Sequence, residues 1–346
     1  MKLRYRIAMF AGSAAALVVG GPAVAPAVAA GTLLPAHVYA PYYETYLAPN
    51  TPSITTEAQS SGARFFSLAF LQATSKGSCS IDWNSNSAQP LSYYNSDIAS
   101  LRALGGDVIP TFGGYSADQG GTEIADSCKD VASIAADYEQ VITTLGVTRL
   151  DMDVEAKSLN NSAGVNRRNQ ALAMVQTWAA ANAIPLQIEY TLPVEQYGLD
   201  ANGLAVLQNA VANGVNVNTV NIMVFDYYIA GEGVVNMGQA AINAANSTEA
   251  QLKTLYPADT AAQLYGMEGM TLLPGIDDYP KKTEVTYLVD AQNMLSFAQS
   301  NGLNTLSIWA IQRDNGGCPG TRDSNTCSGI AQNTWDFSHA LEPFTG

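Results

Sequence analysis

The sequence predicts an α/β fold of the (β/α)8 or TIM barrel class, built as a single domain. Three observations predict it. Eight short apolar runs of strand composition occur along the chain, and helix-like stretches separate them. Strands alternating with helices build parallel βαβ units. Eight such units fit into roughly 300 residues, within the range of these barrels. The rival, an open doubly wound sheet, is disfavoured because no G-x-G-x-x-G opens the first strand–helix turn.

The predicted strands are Ala36–Ala40, Phe65–Leu71, Asp107–Phe112, Arg149–Val154, Leu186–Leu192, Thr219–Phe225, Thr271–Pro274 and Thr305–Ala310. Each is rich in Val, Ile, Leu, Phe or Tyr, and most stop near Gly, Asp, Asn or Pro. The predicted helices include Tyr94–Leu104, Ile124–Leu145, Asn166–Ala183, Leu199–Asn213 and Leu288–Asn301. Several run into a glycine, as at Leu104-Gly105 and Asn301-Gly302, the usual helix stop. The longest connection, Tyr227 to Met270, has room for a sixth helix and a loop. No internal repeat, low-complexity linker or second module interrupts the pattern.

Residues 1–29 are read as a secretory signal peptide. Lys2, Arg4 and Arg6 make a basic start, an apolar run follows from Ile7 to about Val19, and Ala27-Val28-Ala29 supplies an A-x-A cleavage signal. The apolar run is short for a membrane span. The expectation is therefore an exported, extracellular protein with its barrel in residues 30–346. Cleavage removes three of the 16 basic residues and leaves 30 acidic ones, which raises the acid excess further. So acidic a chain does not suit a nucleic-acid backbone. Two histidines, His37 and His339, leave little room for a His-rich metal site or a Ser-His-Asp triad. Any acid–base chemistry falls to carboxylates. In an oxidising compartment the four cysteines read as two bridges. Cys318 and Cys327 enclose a short Gly/Pro/Asn/Ser-rich segment suited to a local bridge, which leaves Cys79 for Cys128.

The fourth predicted strand carries the functional signal. It reads Arg149-Leu150-Asp151-Met152-Asp153-Val154-Glu155. A strand has a side-chain period of two, so Asp151, Asp153 and Glu155 share one face and Leu150, Met152 and Val154 the other. In a barrel, the apolar face meets the helices and the acids face the interior, toward the C-terminal end where barrel sites lie. Three crowded acids repel one another and resist desolvation, so at least one holds its proton near neutrality. That is the state a general acid needs. A Ca²⁺ or Mg²⁺ site is the rival use of three carboxylates. The following Ala156-Lys157-Ser158 adds no further acid, and no metal or other cofactor is expected.

These residues resemble the glycoside hydrolase family 18 chitinases, whose strand-four motif is D-G-x-D-x-D-x-E. Asp151, Asp153 and Glu155 match its last three acids, while Thr148 and Arg149 stand where Asp and Gly are usual. Thr111-Phe112-Gly113-Gly114 is similar to S-x-G-G, Met223-Val224-Phe225-Asp226 to M-x-Y-D, and Trp309 to the family's floor tryptophan. The run from Leu306 to Asn315 is similar to bacterial chitinase D-like and chitinase/lysozyme-like members. The resemblance spans roughly Val38 to Trp335.

The resemblance implies a substrate-assisted retaining hydrolase of β-1,4-linked N-acetylglucosamine. Glu155 would be acid and then base, Asp153 would orient the acetamido group, and Asp151 would share a proton with Asp153. Trp309 would floor the −1 sugar, and Asp226, Met223 and Tyr42 would contact substrate. With Phe225 in the tyrosine's place, Tyr227 or Tyr228 would supply the missing hydroxyl, and the chitinase D-like members favour Tyr227. No second carboxylate is evident on an opposite strand at the right depth for an ordinary retaining pair. The expected partner is chitin or its oligosaccharides, with no nucleic acid, no membrane and a monomeric state.

Overall fold

The computed structural model describes residues 33–48, 50–228, 235–278 and 283–345. The signal-peptide reading lies outside them. Apart from a short antiparallel strand at Ile81–Trp83 and a separate ribbon of Gly275–Ile276 with Val285–Thr286, the described strands form one parallel barrel. Its first strand, β1, comes in two pieces, Val38–Tyr39 and Tyr42–Glu44. Then follow β2 (Phe65–Ala73), β3 (Asp107–Gly113), β4 (Arg149–Asp153), β5 (Gln187–Pro193), β6 (Thr219–Met223), β7 (Glu268–Leu272) and β8 (Thr305–Ile308). Each pairs in parallel with the next. The two pieces of β1 close the ring, the first on β8 through Val38↔Thr305 and the second on β2 through Tyr42↔Ser67. This is the predicted (β/α)8 barrel.

Period two sorts the side chains. Leu150, Met152 and Val154 of the β4 segment lie in the large apolar cluster beneath the helices, with Ile188, Tyr190 and Leu192 from β5, Val220 and Ile222 from β6, and Val224 just past it. The alternate positions fill the barrel with polar groups. Arg149 of β4 makes a buried ion pair with Glu189 of β5 at 3.1 Å and donates to Thr305 Oγ1 of β8 at 3.1 Å. Arg149, at the family's glycine position, thus crosses the lower barrel. Asn221 of β6 bonds Thr191 and Thr271 on its two neighbours at 3.1 and 2.8 Å.

Two predicted elements need correction. Strand seven starts at Glu268 and ends at Leu272, earlier than the predicted Thr271–Pro274. Glu268 is fully buried and Gly269 lies so close to Thr305 that a Cβ would touch it at 3.0 Å, so neither residue carries a strand signature in sequence. The predicted helix Ile124–Leu145 is two helices, Ile124–Ser127 and Val131–Leu145. Cys128 turns extended where it bonds Cys79, and Asp130 restarts the helix by accepting the Ala132 N–H. Both expected disulfides, Cys79–Cys128 and Cys318–Cys327, are present. Among the described residues no helix is long and apolar enough to cross a membrane.

Candidate active site

A cavity of about 550 Å³ opens at the C-terminal end of the barrel, and residues from all eight strand ends line it. The acidic strand reaches its floor. β4 pairing ends at Asp153, and Val154 still donates to Thr191 O at 3.0 Å. Glu155 keeps an extended backbone (φ −131°, ψ 177°), so the alternation persists past the strand. Ala156 then takes a positive φ of 46° and turns the chain into the short helix Ala156–Leu159.

Asp151 is fully buried below the floor. Its carboxylate accepts from Tyr42 Oη at 2.8 Å, Thr111 Oγ1 at 3.0 Å and Thr191 Oγ1 at 2.8 Å. These donors favour its charged form, yet burial and the Glu189 charge push it up to about 8. Asp153 lines the cavity and is held well above the usual carboxylate range, first by burial, then by the charges of Glu155, Asp151 and Asp118. Its Oδ1 is buried with no hydrogen-bond partner among the described residues. Glu155 also lines the cavity, and burial pushes it up to about 7 against a hydrogen bond from the Tyr115 backbone. The three acids thus form a ladder of proton-holding groups.

The glycine pair after Thr111 shapes this floor. A Cβ on Gly113 would stand 2.0 Å from the Asp153 carbonyl oxygen, and one on Gly114 would stand 2.5 Å from the Phe70 ring. Both have positive φ, 95° and 81°. Gly114 N–H donates to Asp153 O at 3.2 Å. Trp309 lines the cavity and packs on Phe70 (5.4 Å, stacked) and on Tyr42 (5.3 Å, tilted). Tyr42 therefore offers its ring to the cavity while its hydroxyl holds Asp151.

Met223, Phe225 and Asp226 line the wall after β6. Asp226 has a φ of 54°, its N–H donates to Asp277 Oδ2 at 2.9 Å, and burial with the Asp277 contact pushes it up to about 9. Tyr227 is not at the cavity. Its ring is buried in the main apolar cluster and its N–H donates to Glu284 Oε2 at 3.0 Å. The positive φ values at Asp226 and Tyr228 break the period-two alternation, so Tyr228 takes the place at the cavity and hydrogen-bonds Asp226. Sequence reasoning also passed over Asp278, which lines the cavity with Asp226 and adds a second carboxylate beyond β4. It passed over Tyr46, Gln72, Asn84 and Asn325 as well. Asn325 comes from the loop that the Cys318–Cys327 bridge closes. The local sequence of such loop residues gives no sign of where the fold carries them.

No family model matches the chain. The chain is 33% identical over 321 residues to "Probable bifunctional chitinase/lysozyme" of Escherichia coli, covering 90% of this chain and 35% of that protein. It is 34% identical over 287 residues to "Endochitinase 11" of Metarhizium anisopliae, covering 81% of this chain and 53% of that protein. The chain thus spans about a third and about half of the lengths of these relatives. Among solved structures, active domain 2 of a chitinase from Pyrococcus furiosus superposes with a TM-score of 0.78 at 27% identity, covering 90% of this chain and 96% of that one. In sequence and in fold the chain is similar to these chitinases, in line with the resemblance of its strand-end motifs to glycoside hydrolase family 18.

Proposed function

We propose that this protein is a secreted, monomeric chitinase that hydrolyses β-1,4-linked N-acetylglucosamine polymers with retention, using the substrate's own acetamido group as nucleophile. The observation that carries the reading is the pairing of Glu155 with Asp153 at the cavity floor. One holds a proton near neutrality, and the other presents a buried, unpartnered Oδ1. An acetamido N–H of a sugar seated on Trp309 satisfies that oxygen. Asp153 then orients the acetamido carbonyl toward the anomeric carbon and stabilises the positive charge of the oxazolinium that forms. Glu155 gives its proton to the departing glycosidic oxygen and, as carboxylate, takes one back from the attacking water. Asp151 lies directly below on the same strand face and titrates together with Asp153. Tyr228 and Asp226 supply hydroxyl and carboxyl groups on the wall after β6.

The test compares two chromogenic β-disaccharides that differ only at C2 of the −1 sugar, one with an acetamido group and one with a hydroxyl. Turnover confined to the acetamido substrate is expected. Equal turnover of both contradicts the mechanism. A second reading is favoured by the name of the Escherichia coli relative, which includes a lysozyme activity: peptidoglycan also places a 2-acetamido sugar at a scissile bond. Product analysis on chitin, peptidoglycan and N-glycan chitobiose cores separates these substrates.

A further inference from the structure

Glu155 lies two residues past the last pairing of β4, where no neighbouring strand takes its backbone N–H. That N–H donates instead to Oδ2 of Asp118. Asp118 belongs to the short helix Tyr115–Gly120 that follows Gly113-Gly114, and its own N–H is fixed to Gly114 O at 3.0 Å. The Asp118 side chain is buried and does not line the cavity. Its Oδ1 has no hydrogen-bond partner among the described residues. The bond to Glu155 is thus the single one its carboxylate makes among them. Burial and the neighbouring Glu123 carboxylate hold Asp118 well above its usual range, with Arg168 of the buried Glu123–Arg168 ion pair partly offsetting them.

A half-satisfied buried carboxylate costs the fold stability, and an apolar residue of similar size would cost less. Its use is therefore to be sought in what it holds. Beyond Glu155 the backbone enters the positive φ of Ala156, a conformation that persists only where the surroundings enforce it. Several of the contacts that hold this turn come from the segment after β3. Ser158 Oγ and Asn161 Nδ2 bond the two oxygens of Asp126 at 2.6 and 2.7 Å, Lys157 Nζ donates to Gln119 O at 3.2 Å, and Asp118 holds the Glu155 N–H. Of these side chains only Asp118 bonds Glu155 itself, at its backbone N–H, while the Tyr115 backbone donates to the Glu155 carboxyl group.

We propose that Asp118 is a positioning residue: by gripping the backbone of Glu155 from the β3 side, it fixes where the acid stands relative to the glycosidic oxygen, without touching the sugar. The inference rests on Glu155 being the general acid. Its test uses Asp118→Ala and Asp118→Asn in the full chain, with Asp118→Ser as a second truncation should alanine not fold. A misplacement of about 1 Å costs on the order of 10²-fold in rate. Asp118→Ala is therefore expected to lose at least about 10-fold in kcat on a chromogenic chitobioside, with KM within about twofold. Asp118→Asn keeps an oxygen for the N–H and is expected to retain kcat within about threefold. Hydrogen exchange of the Glu155 amide, read by mass spectrometry without substrate, is expected to quicken in the truncation and not in Asp118→Asn. A truncation with kcat within twofold of the parent overturns the proposal, as does a lost kcat with unchanged exchange at Glu155. A parent protein inactive on every 2-acetamido substrate sinks the catalytic reading instead, and the exchange measurement tells that failure apart.

Discussion

Gly113→Ala probes how the end of β3 places Asp153. The new Cβ would stand 2.0 Å from the Asp153 carbonyl oxygen, whereas ordinary contact begins near 3.4 Å. The obstacle is backbone, so no rotamer change relieves it. Either the Asp153 carbonyl retreats by more than 1 Å, or β3 and β4 part and lose the Gly113↔Asp153 pairing with the Gly114 N–H bond. A side chain at a φ of 95° adds about 1–3 kcal/mol of backbone strain. Overpacking adds roughly 1–3 kcal/mol more. The sum, about 2–6 kcal/mol, lowers Tm by roughly 5–20 °C in a domain of this size. A 1 Å displacement of the residue that would orient the acetamido group also costs about 10²-fold in kcat. Circular-dichroism melting at fixed pH and turnover of a chromogenic chitobioside by the folded fraction measure the two effects. A Tm within 2 °C of the parent together with kcat within twofold refutes the reasoning.

Three further outcomes follow from the same site. Asp151 and Asp226, raised to about 8 and about 9 from unfolded values near 4, bind protons in the native state that the unfolded chain releases. Their stabilisation is full below about pH 4 and is lost as pH rises toward 9, so Tm at pH 5 exceeds Tm at pH 8, and the reverse order contradicts it. Because Glu155 must carry its proton to act as an acid, kcat falls as pH climbs through about 7, and a profile flat to pH 9 contradicts that assignment. Tyr42→Phe removes a buried donor to Asp151 and costs about 1–3 kcal/mol, seen as a lower Tm in a melt; an unchanged Tm contradicts the role of that hydroxyl.

The acidic strand was legible because charge and apolarity alternate at the strand period over seven residues, and no helix or loop has that pattern. The glycines at 113 and 114 and Trp309 were legible as motifs, and the structure adds their reason: the space beside the Asp153 carbonyl and the Phe70 ring admits no Cβ at 113 and 114. Tyr227 was favoured over Tyr228 on the likeness to chitinase D-like members, whereas the left-handed turn at Asp226 leaves Tyr228 at the cavity. Strand seven was misplaced because Glu268 and Gly269 earn their positions from the neighbouring strands and not from their own β propensity. The Arg149–Glu189 pair needs two strands in register before its partners can be seen. Asn325 needs a disulfide loop folded back onto the barrel mouth.

In the proposed mechanism one carboxyl group, Glu155, moves the proton. Glu155→Gln tests it most directly, because the amide keeps the shape of the side chain and loses the exchangeable acid. A fall of at least about 10²-fold in kcat on chitooligosaccharides is expected, with binding measured by calorimetry retained. Undiminished turnover by Glu155→Gln would contradict it.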